Sequence, residues 1–513
     1  MPAPLTALAA LPLTPNGKTD RRALPAPEDP SAAAEGEAPR TPVEEVVAVV
    51  WERVLGVERV GRTDDFFEIG GHSLLATRVA SHVREALGAE VPGRALFEAP
   101  TLAAFAAYVE ARRGRPGAAS APIARVAEPG RALPLSFAQQ RLWLVHQIAP
   151  ESRVYNRGLA VRLRGALDVP VLRRVLGEIV ERHAVLRTRF EETDAGPVQV
   201  VEPPFPLALP VADLGGVEDP RAAQRDAVRS EVQRLFDLRS GRLLRAMLVR
   251  VAAEEHVLVL TVHHIAIDGW SRGVMVRELA ALYLAFAEGR PSPLPELPVQ
   301  YADYAVWQRA WLTPEREREQ LDYWRAQLDG FAGLHLATDR GRVSAGTDGD
   351  LRGFLLSPEA TAGVPRVARA LGATPFMVLL AAFQVLLRRQ GGGDEVVVGT
   401  DVANRNLRAE TEGLIGFFVN QLVLRTSLAG EPTFAELVRR CRETALGAYD
   451  HQDVPFDRVV EVLNPPRAAG STPFFRVKFV VQNAPSQGVE IPGLVLEALP
   501  SERSAAQLDV LLA

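Results

Sequence analysis

The chain has 513 residues, 47% hydrophobic and 24% charged, which is the make-up of an ordinary globular protein long enough for about three to four domains of ~150 residues each. Its 58 basic and 63 acidic residues nearly cancel, which excludes the basic footprint of a nucleic-acid binder, and no apolar run approaches the ~20 residues needed to cross a bilayer. The N-terminus lacks the basic-then-apolar order of a secretory leader. Cys441 is the only cysteine, so intrachain disulfides and Cys-based zinc sites are excluded and a reducing, cytoplasmic setting is expected, with neither membrane, nucleic acid nor metal as partner.

Two Ala/Pro/Gly-rich stretches, residues 26–40 and 113–131, read as linkers. They separate a short tail (1–25), a small module (41–112) and one large block. In the tail, Leu11-Pro12-Leu13-Thr14-Pro15-Asn16-Gly17-Lys18-Thr19-Asp20 resembles the closing motif of adenylation domains. Lys18 and Lys478 are the only lysines among many arginines. The resemblance implies that Lys18 contacts the carboxylate and phosphate being joined, as a compact charge that Arg replaces poorly; the alternative is a surface turn. No phosphate-cradling glycine loop accompanies it, so the tail adenylates nothing alone and reads as the end of an upstream adenylation domain.

The small module reads all-helical. Thr41 is placed to cap a helix opening with Pro42 and two acids, with Val47, Val50 and Val54 on one side. A second helix follows Ser73, with Val79 and Val83 inward, a single turn is expected near Gly93–Phe97, and a third helix follows Thr101. A four-helix arrangement around one small core results. The stretch Asp64-Asp65-Phe66-Phe67-Glu68-Ile69-Gly70-Gly71-His72-Ser73-Leu74 closely resembles the attachment motif of peptidyl carrier proteins. That resemblance implies that Ser73 bears covalent 4′-phosphopantetheine, installed by a phosphopantetheinyl transferase, with Gly70 and Gly71 keeping the backbone open to that enzyme. A phosphodiester on the first helical residue would face unpaired N–H groups and the positive end of the helix dipole. Taken alone, Ser73 would be a plain N-cap.

The large block alternates strand and helix: a strand over Leu159–Leu167, a helix over Val171–His183, a strand pair at Leu243–Val251 and His256–His264, and a helix over Gly273–Ala287. After about Pro298 the mixture restarts, with a helix over Pro375–Arg389 and a strand over Glu395–Asp401, so two α/β lobes are expected. At the end of the apolar run Val257–Val262 stands His263-His264-Ile265-Ala266-Ile267-Asp268-Gly269. A rigid strand thus delivers an imidazole, the side chain suited to proton transfer near neutrality, with a carboxylate and a glycine just beyond.

This spacing resembles the active-site signature of the condensation domains of nonribosomal peptide synthetases. Five further stretches match in order: Ser136–Trp143, Arg182–Phe190, Tyr301–Gln308, Ile415–Asn420 and His451–Phe456. The resemblance implies a two-lobed, chloramphenicol-acetyltransferase-like fold, with an N-lobe at 132–305 and a C-lobe at 306–513. Relatives continue past the equivalent of Ala513, so the C-lobe is expected to be truncated here. It further implies amide formation between an aminoacyl or peptidyl thioester on the carrier and the amine of an acceptor held by a downstream carrier of the same assembly line, in the making of a secondary metabolite such as an antibiotic or siderophore.

In that reaction His264 is the expected catalytic residue, as general base or as the group that steadies the zwitterionic intermediate. His263, one residue earlier on a strand, should face the opposite side and be structural. Asp268 needs a cationic partner if buried, with Arg187 or Arg182 as candidates, and Gly269 leaves space and an N–H near the thioester. The GGHS form of the carrier motif and the SFAQQRLW opening look like those that accept an L-configured donor. Competing readings are an epimerisation domain, whose carrier usually reads GGDS; a cyclising relative, which would carry DxxxxD; and a catalytically silent docking scaffold.

Overall fold

The computed structural model describes residues 37–89, 91–113, 122–331, 336, 350–405, 408–465, 473–481, 491, 493–499 and 508–513. Lys18, its tail and most of the 26–40 linker lie outside them.

The small module holds α1 (Pro42–Leu55), α2 (Ser73–Leu87), α3 (Ala95–Glu98) and α4 (Leu102–Glu110). Thr41 caps α1 by accepting from the Glu44 N–H, Thr101 caps α4 likewise, and Gly56 ends α1 in the left-handed region. Both caps satisfy first-turn donors that no intrahelical carbonyl reaches. Trp51, Phe66, Leu96, Leu102 and Phe105 fill the core, with the Trp51 and Phe66 rings edge-on at 5.0 Å.

In the large block the helices are α5 (Phe137–Ile148), α6 (Val169–Arg182), α7 (Pro220–Gln233), α8 (Gly269–Ala287), α9 (Tyr301–Trp311), α10 (Pro314–Leu328), α11 (Pro358–Ala370), α12 (Pro375–Leu387), α13 (Phe434–Asp450) and α14 (Phe456–Leu463). The strands are β1 (Ala132–Pro134), β2 (Asn156–Gly165), β3 (Thr188–Thr193), β4 (Gly196–Val201), β5 (Val211–Asp213), β6 (Leu244–Ala252), β7 (Glu255–His263), β8 (Glu395–Val402), β9 (Asn420–Ser427), β10 (Val477–Phe479), β11 (Leu494–Ala498) and β12 (Val510–Leu512). Among the described residues three sheets form, in the orders β11-β2-β7-β6-β5, β1-β4-β3 and β12-β10-β8-β9. No single helix among the described residues is long and apolar enough to cross a membrane.

Strand β7 lies between β2 and β6, and every residue after Glu255 is buried. An unbroken apolar run is stable only with both faces covered, and α6 and α8 pack together in the same core. Strand β8 is the counterpart in the second lobe, against α12 and α13.

Two features depart from a simple division at residues 305 and 306. That boundary falls inside α9, whose Tyr301, Tyr304 and Trp307 are all buried in the first core. In addition, β11 returns to the N-lobe sheet and pairs antiparallel with β2, from Leu494↔Gly165 to Ala498↔Val161. The lobes are therefore stitched together rather than strung in sequence.

Candidate functional site

Strand β7 stops at His263, where the chain enters a short 3-10 turn, His264–Ala266. The two histidines have different surroundings, as strand alternation predicts. His263 Nδ1 accepts from the Ile265 N–H at 3.2 Å and so caps the turn that carries His264. Its ring is buried among His146, Tyr155 and Phe236, and that burial, aided by His146 and Arg157, pushes its pKa down to about 3.

The His264 ring lies 4.6 Å from that of Phe417, and its Nδ1 lies 2.5 Å from the Ile267 carbonyl oxygen. A carbonyl only accepts, so Nδ1 carries the proton and Nε2 keeps its lone pair. Desolvation holds this imidazole well below its ordinary pKa, with Arg157 acting in the same direction and the Ile267 carbonyl against it. The result is a neutral acceptor of fixed tautomer. Phe417 also lines a narrow open cleft between the lobes, with Arg141, Asn404, Asp453 and Asp457 around it. Burial raises Asp453 to about 7 there.

Asp268 caps α8 by accepting from the Ser271 N–H at 2.8 Å. The expected pairing with Arg187 or Arg182 is not what forms. Arg182 Nε is held by Glu278 at 3.0 Å, which also takes His183 Nε2 at 2.7 Å. Arg187 donates instead to the backbone carbonyls of Val180, Glu202 and Glu181. The partner of Asp268 is Arg405, just beyond β8, at 3.3 Å with both side chains buried. Arg405 also reaches Ser271 Oγ at 2.8 Å and the carbonyls of Thr411 and Leu414, while the Phe418 N–H donates to Asp268 at 3.1 Å. This carboxylate therefore locks one lobe to the other.

The remaining motifs wire the scaffold around that lock. Tyr301 Oη lies 2.8 Å from Ser136 Oγ and donates to the Phe417 carbonyl at 2.5 Å. Gly416 lies so close to the Tyr301 ring that a Cβ there would come within 2.0 Å. At Gly269 a Cβ would meet nothing within 4 Å, in keeping with space left beside the turn.

Ser73 is the first residue of α2, and its N-cap, His72, gives no side-chain hydrogen bond, so the first-turn N–H groups are uncapped by a side chain. Ser73 Oγ is buried, with the Tyr449 hydroxyl of α13 as its hydrogen-bonding neighbour. Gly70 is needed for its φ of +108° and Gly71 for close packing, since a Cβ would lie 2.3 Å from Phe66. Their roles are thus conformational, beyond keeping the backbone open. Around Ser73 the module sits directly on the large block. Arg78 pairs with Glu412 at 2.7 Å, Arg94 with Asp450 at 3.1 Å, Arg369 with Glu68 at 3.6 Å, and Tyr449 of α13 neighbours the serine.

The sequence profile of the family described as "Condensation domain" matches residues 130–510. The chain belongs to the condensation-domain family. Its small module matches "Phosphopantetheine attachment site" over residues 45–109, the carrier domain on which 4′-phosphopantetheine is covalently held. One of the linear gramicidin synthase proteins of Brevibacillus parabrevis is 46% identical over 511 residues, covering 98% of this chain. A dimodular nonribosomal peptide synthase of Bacillus subtilis (strain 168) is 40% identical over the whole chain. The chain spans 10% and 21% of those two proteins. Among solved structures, the X-domain in complex with OxyB from teicoplanin biosynthesis is similar at TM-score 0.65 and 32% identity, over 77% of this chain and 85% of that one. The first condensation domain of the calcium-dependent antibiotic synthetase with a substrate analogue is similar at TM-score 0.61 and 26% identity, over 72% and 85%.

Condensation-domain residues that motif reading missed are Arg405, Glu278 and Ser271. Arg405 had a readable cue: it follows a buried strand in the second lobe as His264 follows one in the first. The carrier contacts at Glu412 and Asp450 had none.

Proposed function

We propose that this chain is a donor-side carrier and condensation pair, which joins an acyl group presented from Ser73 to the amine of an acceptor brought by a downstream carrier. The Ser73 hydroxyl, at a helix start that no side chain caps and beside Tyr449 of the condensation domain, fits a phosphodiester link. When bound there, phosphopantetheine presents the donor as an activated thioester. The rest falls to the chain's own residues. The acceptor α-amine titrates near ~8, so a useful fraction is already neutral. In the reaction a nitrogen–carbon bond forms, the carbon–sulfur bond breaks, and the amine proton leaves with the sulfur.

The observation that carries the assignment is the Nδ1 tie of His264 to the Ile267 carbonyl. It leaves Nε2 as a bare acceptor by which an amine N–H can be held. Because burial disfavours imidazolium, positioning the amine through a hydrogen bond is better supported than storing a full proton. Asp268 and Arg405 fix the floor under the turn, and well-oriented partners gain about 7–11 kcal/mol in favourable cases. The resemblance to an X-domain found with OxyB leaves partner recruitment as the second reading.

The test loads the intact chain from a panel of aminoacyl-coenzyme A thioesters with a broad-specificity phosphopantetheinyl transferase, then adds soluble aminoacyl thioester mimics. Amide should appear by mass spectrometry in the wild type and not in Ser73→Ala. Loading at another serine, or a loaded chain that makes no amide above background across the panel, overturns the proposal and favours recruitment.

A further inference from the structure

Two side chains of the carrier, Arg78 and His82, meet at one residue of the condensation domain, Glu412. Arg78 reaches Glu412 with two nitrogens, at 2.8 and 2.7 Å, and His82 Nε2 lies 3.4 Å away. Bidentate, charge-assisted pairs are the strong kind. Burial alone would raise the Glu412 carboxyl, but His82 and Arg78 overcome it and hold the group at about 2.

Glu412 closes the turn Ala409–Thr411, and its own carbonyl accepts from Trp270 Nε1 at 3.0 Å. Trp270 follows Gly269 in α8, and the Arg78 guanidinium lies 5.5 Å from its ring centroid. On the other side of Glu412, Arg405 holds the carbonyls of Thr411 (2.5 Å) and Leu414 (2.9 Å) while pairing with Asp268. Two residues further on, the Gly416 N–H donates to Ser271 Oγ at 3.0 Å. One short loop, residues 411–418, is thus gripped by the carrier from outside and by the Asp268 lock from inside.

We propose that seating of the carrier on Glu412 and formation of the Asp268–Arg405 lock are one coupled unit, with Trp270 as the positioning residue that joins them. A seated carrier favours the loop geometry in which the Gly416 and Phe418 N–H groups are bound, which in turn sets the floor beneath the His264 turn. Linkage makes the effect reciprocal: an intact lock favours the seated carrier. The inference rests on the carrier reading of the small module but not on amide formation.

Its test therefore reads docking and loop order, not chemistry. Val49→Cys and Leu386→Cys place fluorophores on exposed positions of the carrier and of α12, and the buried Cys441 stays unlabelled. In the full chain, energy transfer reports the docked fraction and hydrogen exchange reports the Gly416 and Phe418 amides. Arg78→Glu should lower the docked fraction and speed exchange of both amides roughly fivefold or more, the low end of ordinary inter-site coupling. Arg78→Glu with Glu412→Arg should restore both readouts. In a Trp270→Phe background, Arg78→Glu should undock the carrier without moving exchange. Undocking with unchanged protection in the native background, faster exchange without undocking, or no undocking at all would each overturn the coupling.

Discussion

Strands β7 and β8 occupy equivalent places in the two lobes, yet they end in opposite kinds of polar group. At the end of β7 stand two imidazoles that burial keeps neutral, His263 as its last residue and His264 just beyond. Beyond β8 stands Arg405, a fixed cation whose two terminal nitrogens are held by a carboxylate, a hydroxyl and two carbonyls. A neutral ring can accept and release a hydrogen bond as a reaction proceeds, whereas a guanidinium pinned through both terminal nitrogens can only hold. Under the proposed function, the difference puts chemistry in the first lobe and clamping in the second. A buried ion pair adds little net stability, but breaking one costs a great deal because it leaves an unpaired charge.

The largest expected effect tests the chemical side. His264→Ala should slow single-turnover amide formation about 10²–10⁴-fold with melting little changed. Full activity in a folded variant would move the chemistry elsewhere. The clamping side is tested next: Arg405→Ala and Asp268→Ala should each lose about 3–5 kcal/mol in chemical denaturation, and the double variant less than the sum. Equal, additive and small losses would mean the lobes are held by other contacts.

His263→Ala should be milder, about 1–3 kcal/mol, since it strips the Ile265 N–H of its acceptor. The same residue predicts a pH dependence. Its folded pKa, about 3, lies below the ordinary 6.5, so the unfolded state binds more protons between those values. Stability is then full above about pH 6.5 and falls as pH drops toward 3, with His264 adding in the same direction. His263→Gln should flatten that slope in denaturation measured at pH 8, 6 and 5. Smallest of all, Arg369→Ala removes an exposed ion pair with Glu68 and should change stability by under ~0.5 kcal/mol.

What was legible in the sequence follows distance along the chain. The carrier helices were readable because Thr41, Thr101 and Gly56 act on their own neighbours. The strand pair β6–β7 was readable because its apolar run is local and its register is set by a short turn. The partner of Asp268 was not, because Arg405 lies 137 residues away across the lobe boundary, while Arg182 and Arg187 sit in a recognisable motif and are engaged elsewhere. The return of β11 to the first sheet, and the Arg78–Glu412 contact across 334 residues, leave no local trace in hydrophobic pattern or turn chemistry.

The most direct measurement of the whole comparison is the protonation state of His264 itself, by ¹⁵N NMR of the imidazoles in the intact chain, assigned with His264→Gln. From pH 6 to 8 the ring should remain neutral, with the proton on Nδ1 and Nε2 bare. A proton on Nε2, or an imidazolium present at pH 7, would contradict the assignment of a neutral, carbonyl-tied acceptor at the end of β7.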